Sequence, residues 1–155
     1  MPTHILRIIY CSTIQSSLMF SLLAWGYDCS RLAKIQKRII RNICCEKYNA
    51  HTEPLFKKLC LLKLEDLFDL NTLKFYYKLK KGKVPAYFQS FKIQTNAERH
   101  GRDARQGSLI SMIRSRIDLT DKCLRIHLPV VLNSIPQSAL DKVATHSFCC
   151  ICKLY

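Results

Sequence analysis

The acidic residues of this chain do not form a catalytic pair. The closest two carboxylates are Glu65 and Asp66, which are adjacent in the sequence. On a helix they diverge by about 100°, so they cannot hold a metal ion together without a third ligand. The four glycines are scattered, which excludes a glycine-rich phosphate loop. The sequence therefore predicts no catalytic residues and no enzyme.

The C-terminal tail brings one histidine close to three cysteines: His146, Cys149, Cys150 and Cys152. Zinc ligands come as spaced pairs such as C-x2-C, and adjacent cysteines reach one metal ion poorly. The chain has nine cysteines, an odd number that favours reduced intracellular thiols over a disulfide framework. We therefore expect no metal, no cofactor and a nuclear or cytoplasmic location.

Basic residues are the remaining source of chemistry, and they crowd one predicted helix. The formal net charge of the chain is +14, and residues 31–50 hold six basic side chains against one acid. Within RLAKIQKRIIRNICC, apolar residues recur at spacings of three and four, which predicts a helix with one face on a core. The apolar residues of that face are Leu32, Ile35, Ile39 and Ile43.

The opposite face of this helix fits a polyphosphate. Its basic residues have no acidic partner four positions away, whereas an ordinary solvated face mixes acids with bases. Such cations contact phosphates without reading sequence, so we expect RNA, DNA or an RNA–DNA hybrid as partner. The expected binding residues, including a second set from a later basic segment, are Lys34, Lys37, Arg38, Arg41, Arg99, Arg102 and Arg105.

Helices are expected to carry these faces. HTEPLFKKL predicts a short helix with Thr52 as its N-cap, followed by a longer helix over Leu64–Lys80 with Gly82 at its C′ position. An irregular basic loop follows, and Pro129 interrupts a later apolar segment. The expected fold class is mainly α: a small bundle of about four to six helices with a loosely ordered C-terminal part. The expected domains are residues 1–88, 89–108 and 109–155, the last partly disordered.

The uncharged run over residues 8–27 allows two interpretations. It is long enough to cross a bilayer, but polar residues interrupt it and no cleavage site follows. A core helix is the favoured interpretation, and membrane insertion is not expected. The residues then expected in the core are Ile8, Ile9, Leu18, Leu22 and Leu23.

Several segments, in order, resemble the C-terminal part of reverse transcriptases from non-LTR retrotransposons of the jockey and LINE-like kind. Family copies show "L-Q-K-R-x-I-R-x-I", "H-T-x-P-L-F-x-x-L-x-I-L-K-L-x-D-L", "L-P-x-Y-F" and "P-x-L-W-N-S-L-P". This chain has IQKRIIRNI, HTEPLFKKLCLLKLEDL, VPAYF and PVVLNSIP. The segment HGRDAR corresponds to a basic "H-x-Y-x-T-R" loop of the family but has Arg102 and Ala104 where the family has Tyr and Thr, and Leu132 stands where Trp is common.

The resemblance implies a thumb-like region over residues 1–88 and a post-thumb segment over 109–155. In that family the fingers and palm, with the paired metal-binding aspartates, lie upstream, and the helical thumb grips the template–primer duplex by its phosphates. The implied function is a fragment of an RNA-directed DNA polymerase without its palm, at most a nucleic-acid-binding module. The missing fingers and palm are then an expected protein partner. The alternatives are a non-functional pseudogene translation, or a small basic protein anchored in a membrane by residues 8–27.

Overall fold

The computed structural model describes residues 2–25, 29–89, 91, 93–102, 105–113 and 123–135. Over these residues the fold is mainly helical, as predicted. The first helical stretch is α1 (Thr3–Ile9), a π-helical segment (Tyr10–Gln15) and α2 (Ser16–Trp25). The later helices are α3 (Ser30–Ile43), α4 (Glu53–Leu59), α5 (Leu64–Lys80), α6 (Ala86–Gln89), α7 (Asn96–His100) and α8 (Leu124–Ser134).

The chain divides into two compact units, and the division falls inside α5 after Asn71. The first unit contains α1 to α4 and the beginning of α5, whereas the second contains the rest of α5 and α6 to α8. The domain boundaries expected from the sequence, after residues 88 and 108, stay predictions.

Two apolar clusters form the core of the first unit. One cluster joins the π-helical segment, α3 and α4; its buried members are Tyr10, Ile40, Ile43, Leu55, Phe56, Leu59 and Leu61. The other joins α2 to the beginning of α5; its buried members are Leu22, Leu64, Leu67 and Phe68. Helix α4 thus contributes Leu55, Phe56 and Leu59 to one cluster, and the first turns of α5 contribute Leu64, Leu67 and Phe68 to the other.

A buried hydrogen-bonded hub around Gln36 connects these elements. Gln36 is 2% exposed and Tyr10 is 1% exposed. The Gln36 amide donates from Nε2 to the Tyr10 hydroxyl at 2.9 Å and to the Leu62 carbonyl at 3.0 Å. Its Oε1 accepts the Leu64 N–H at 3.0 Å. Because Leu64 opens α5, a side chain from α3 satisfies an N–H that has no partner within that helix.

The hub rotates α3 away from the predicted orientation. Ile43 is buried as expected, but Leu32 is 37% exposed and Ile35 is 54% exposed, so their assignment to the core is wrong. Gln36 and Ile40 are buried instead, which corresponds to a rotation of roughly 60° about the helix axis. A prediction from apolar periodicity places glutamine on the surface. Here the three hydrogen bonds of Gln36 offset the cost of burying its amide.

The N-terminal helical stretch is less buried than predicted. Leu22 is in the core, but Ile8 is 60% exposed and Ile9 is 44% exposed, so their assignment to the core is wrong. Leu18 and Leu23 are half-buried. Among the described residues, Thr3–Ala24 is the helix whose length and mean hydropathy of 1.3 would suit a bilayer, and only 12% of its apolar window is buried.

A residue in the left-handed conformation follows each of the helices α3, α4 and α5. At the end of α5, the Gly82 N–H bonds to Leu79 O and the Lys83 N–H to Lys78 O, with Gly82 at φ +64°. This Schellman motif confirms the predicted C′ glycine. After α3 and α4, however, the left-handed position is occupied by a cysteine, Cys45 at φ 54° and Cys60 at φ 50°.

The start of α4 differs from its prediction in one detail. Thr52 occupies the N-cap position, but its side chain makes no capping hydrogen bond. Its backbone carbonyl accepts the Phe56 N–H at 3.0 Å, so the helix begins as predicted without the predicted cap.

In the second unit, part of the segment expected to be an irregular loop is ordered. Thr95 and Glu98 form a reciprocal capping box that starts α7, and the backbones of Thr95 and Ile110 pair in an isolated antiparallel bridge. The Asn133 amide donates to and accepts from the backbone of Ile110, at 3.0 and 2.9 Å. A short helix therefore replaces the loop over Asn96–His100.

Helix α8 contains Pro129 inside its length, so the predicted interruption at this proline is wrong. A proline inside a helix removes one hydrogen bond and its ring crowds the carbonyl four residues earlier, at a cost of about 3 kcal/mol. The apolar side chains around it, Leu128, Val131 and Leu132, are all buried. Their packing offsets the lost hydrogen bond.

Candidate nucleic-acid interface

Three of the predicted phosphate-binding residues lie together on the solvent side of α3. Lys34, Lys37 and Arg38 are all exposed. Within the described residues, none of the three forms an ion pair. Since Gln36 and Ile40 point into the core on the other side, the hub described above directs these cations to solvent. We call Lys34, Lys37 and Arg38 the α3 basic face.

Arg41 has a different environment from these three. It is only half-exposed, and its Nε donates to the Ala50 carbonyl at 2.9 Å. Its guanidinium carbon lies 5.9 Å from the centroid of the Tyr48 ring. Arg41 therefore holds the loop that follows α3, and only part of its hydrogen-bonding capacity remains for a phosphate.

The same loop carries an exposed aromatic residue that the sequence analysis did not select. Tyr48 is 78% exposed and follows Lys47 directly in the sequence. An aromatic residue among cations just after a basic helix was the available signal. The loop backbone is fixed at both ends, by the Glu46 N–H to Arg41 O bond at 3.0 Å and the Ala50 N–H to Lys47 O bond at 2.9 Å.

One carboxylate moderates the positive potential near the α3 basic face. Glu53, at the start of α4, accepts a hydrogen bond and ion pair from Lys63 Nζ at 2.6 Å. The pKa of Glu53 is lowered first by that hydrogen bond and then by the charges of Lys63, Lys57 and Lys37. Its negative charge is therefore within electrostatic reach of Lys37 and opposes the attraction of a phosphate there.

The second predicted set lies in the second unit. Arg99, Arg102 and Arg105 are all exposed, in the last turn of α7 and in the turns after it. Arg99 donates from Nη1 to the Ser111 hydroxyl at 2.8 Å. Arg99 and His100 also line an open cleft of about 680 Å³ with an apolar wall that includes Ile126 and Val130. Of this set, Arg99 is thus tied to a neighbouring segment.

The described residues contain no group of three histidine, cysteine or acidic side chains that could hold a metal ion. The cysteine-rich tail with His146 lies outside the described residues. Of the adjacent carboxylates, Asp66 has its pKa raised, chiefly by burial.

Comparison with known proteins adds no relative. No family model matches the chain, and neither a curated protein nor a solved structure does. The origin inferred from the motifs therefore stays a prediction.

Proposed function

We propose that this chain is a helical piece of a non-LTR retrotransposon reverse transcriptase, from its thumb and the segment beyond, and that it binds nucleic acid through phosphates. The family origin rests on the ordered motifs of the sequence. The binding function rests on one observation, the α3 basic face: three exposed cations within two helical turns and without a carboxylate in ion-pair contact among the described residues.

The length of this surface suits a nucleic-acid backbone. Each helical residue rises 1.5 Å, so the distance along α3 from Lys34 to Arg38 is about 6 Å. Successive phosphates of one strand in a duplex advance about 3.4 Å, so this length corresponds to about two nucleotides. Lysine and arginine here neutralise phosphates and release counterions, which supplies affinity without sequence preference.

The test is the salt dependence of binding to a labelled oligonucleotide, measured by fluorescence anisotropy between about 50 and about 300 mM salt. If four to six phosphates are engaged, log K falls with log salt at a slope of roughly −3 to −5. Replacing all three residues of the α3 basic face with glutamine reduces the steepness of that slope by about 2 to 3.

A matched control removes the same charge elsewhere. Lys78, Lys80 and Lys83 are exposed lysines at and after the end of α5, and their triple glutamine variant has the same net charge as the α3 variant. The control is expected to keep a slope close to that of the unchanged protein. Equal losses in both variants would show that binding is not located on α3, and a slope near zero in the unchanged protein would refute the binding function.

The family origin has a separate test, which is to sequence the full transcript and read its frame upstream of Met1. A frame that continues into a paired-aspartate palm motif supports a thumb segment of a polymerase. Stop codons or frameshifts there favour an orphaned remnant, for which only the binding assay is informative.

A second candidate function is attachment to a membrane through the N-terminal helical stretch. One observation favours it: the apolar window of Thr3–Ala24 is only 12% buried, and Phe20 within it is 95% exposed. Extraction of a membrane fraction with alkaline carbonate tests this candidate. Release of the chain into the supernatant would exclude an inserted helix.

A further inference from the structure

The loop after α3 holds an aromatic ring in an unusual position for a surface tyrosine. Tyr48 is 78% exposed, yet its ring lies 5.9 Å from the Arg41 guanidinium carbon. A guanidinium at this distance is attracted to the ring electrons and fixes the ring relative to the helix. The rest of the side chain is open to solvent and available to a flat ligand.

The backbone beneath this ring is pinned. Arg41 takes part in three contacts: its Nε bonds to Ala50 O, its carbonyl accepts the Glu46 N–H, and its guanidinium faces Tyr48. The Ala50 N–H also bonds to Lys47 O at 2.9 Å. A ring that is already fixed loses little conformational entropy when a ligand stacks on it.

Two cations precede the ring along the chain, with the exposed Glu46 between them. Lys47 precedes Tyr48 and is exposed, and Arg41 closes the C-terminal end of the helix that carries the α3 basic face. A strand held by its phosphates along that face and continuing past the C-terminal end of α3 would meet the loop that carries Tyr48. A positively charged track with an aromatic ring at its end is the arrangement that binds single strands.

We propose that Tyr48 is a stacking platform for an unpaired nucleobase, so that the ligand class of this surface is single-stranded RNA or DNA. This inference rests on the proposed phosphate-binding function and adds the ligand class to it. In a duplex, each base is already stacked between its neighbours and presents no open face to a protein ring. Every base has a π-face, so the platform is expected to tolerate any sequence.

Exposure alone does not define such a platform, and a second tyrosine provides the control. Tyr87, in the second unit, is 83% exposed, but its ring meets Phe88 edge-on, with centroids 5.4 Å apart and planes at 84°. Tyr87→Ala therefore removes an equally exposed ring of the same type from a different part of the chain.

The experiment measures anisotropy with three probes of about ten nucleotides: an oligothymidylate, the same chain with all bases removed, and the blunt duplex. The Tyr48→Ala variant loses one stacked base. It is therefore expected to bind the oligothymidylate about 5- to 150-fold more weakly than the unchanged protein. Tyr48→Phe keeps the ring and is expected to stay within about twofold of the unchanged protein. The unchanged protein is expected to prefer the oligothymidylate to the abasic chain, and Tyr87→Ala to have no effect.

Each result has a distinct meaning. If Tyr48→Ala binds the oligothymidylate as tightly as the unchanged protein, or if the abasic chain binds equally well, stacking is overturned while the salt-dependent phosphate binding stands. A preference for the blunt duplex that Tyr48→Ala leaves intact would also overturn the single-strand assignment. If none of the three probes binds, both the platform and the proposed function are overturned. Because Tyr48 lies at the surface, circular dichroism is expected to show an unchanged fold in each variant.

Discussion

The Gln36 hub gives the sharpest test of how this fold is held together. Replacing Gln36 with leucine keeps a side chain of similar size but removes all three hydrogen bonds. The groups left without that partner are the Tyr10 hydroxyl, the Leu62 carbonyl and the Leu64 N–H. Each buried polar group left unpaired costs about 1 to 3 kcal/mol, and the gain from burying leucine offsets about 1 kcal/mol. We therefore expect the free energy of unfolding to fall by at least about 2 kcal/mol.

The magnitude is large relative to the stability of a small domain, which is about 5 to 15 kcal/mol in total. The assay is urea unfolding followed by circular dichroism, in which such a loss lowers the transition midpoint by roughly 1 M or more if the slope is unchanged. Gln94→Leu is the control, because Gln94 is exposed and its change is expected to stay within about 0.5 kcal/mol.

A double-mutant cycle with Tyr10→Phe separates the hub from general packing. Tyr10→Phe alone leaves the Gln36 amide its bond to Leu62 O, so it is expected to cost about 1 kcal/mol. Combined with Gln36→Leu, it removes the unpaired hydroxyl, so the double variant is expected to lose about 1 to 2 kcal/mol less than the sum of the single changes. A loss below about 1 kcal/mol for Gln36→Leu, with an unchanged denaturant slope, would refute the role of the hub.

Three further predictions follow from the charges and thiols. Glu53→Gln removes a carboxylate beside the α3 basic face and frees Lys63 from its ion pair, so oligonucleotide affinity at low salt is expected to rise by up to about fivefold; unchanged or weaker binding in the anisotropy assay would contradict this. The pKa of Lys74 is lowered to about 8, chiefly by burial, from its ordinary 10.5. The protonated form of Lys74 therefore opposes folding. The free energy of unfolding is expected to rise as the pH increases from about 8 towards 10.5. Lys74→Met is expected to flatten that rise in urea midpoints, and an identical pH profile would exclude the residue as its cause. Burial raises the pKa of the Cys44 thiol, so iodoacetamide is expected to modify Cys44 more slowly than its exposed neighbour Cys45; peptide mass spectrometry that finds equal rates would contradict this.

The sequence predicts regular helices well where periodicity and end signals agree. The bounds of α5 and its C′ glycine are as predicted, because acidic first turns, basic last turns and a glycine all indicate the same element. Helix α7 was missed although its signal was present. Thr95 and Glu98 are spaced as a capping box, but the helix has only five residues, too few to show an apolar period.

The orientation of α3 illustrates what periodicity cannot provide. Leu32 and Ile35 have the right spacing for a core face, yet burial of Gln36 decides the rotation. The partners of Gln36 lie 26 and 28 residues away in the sequence, so no local sequence pattern predicts these hydrogen bonds. Lys34, Lys37 and Arg38 are exposed as predicted because they span an arc that stays in solvent at either rotation, whereas their role in binding stays a prediction. Tyr48 was not selected because the contact that distinguishes it, with the Arg41 guanidinium, is a tertiary one.

The uncovered face of the N-terminal helical stretch has a consequence for how the protein behaves in solution. Copies that carry a net charge of +14 repel one another over a distance set by the ionic strength, about 10 Å at 0.1 M and about 3 Å at 1 M salt. At low salt this repulsion keeps apart exposed apolar residues such as Ile8, Ile9 and Phe20, whereas at high salt these side chains can meet. Colloidal stability and the proposed nucleic-acid binding are therefore both expected to weaken as salt is added, and light scattering distinguishes self-association from simple release of the ligand.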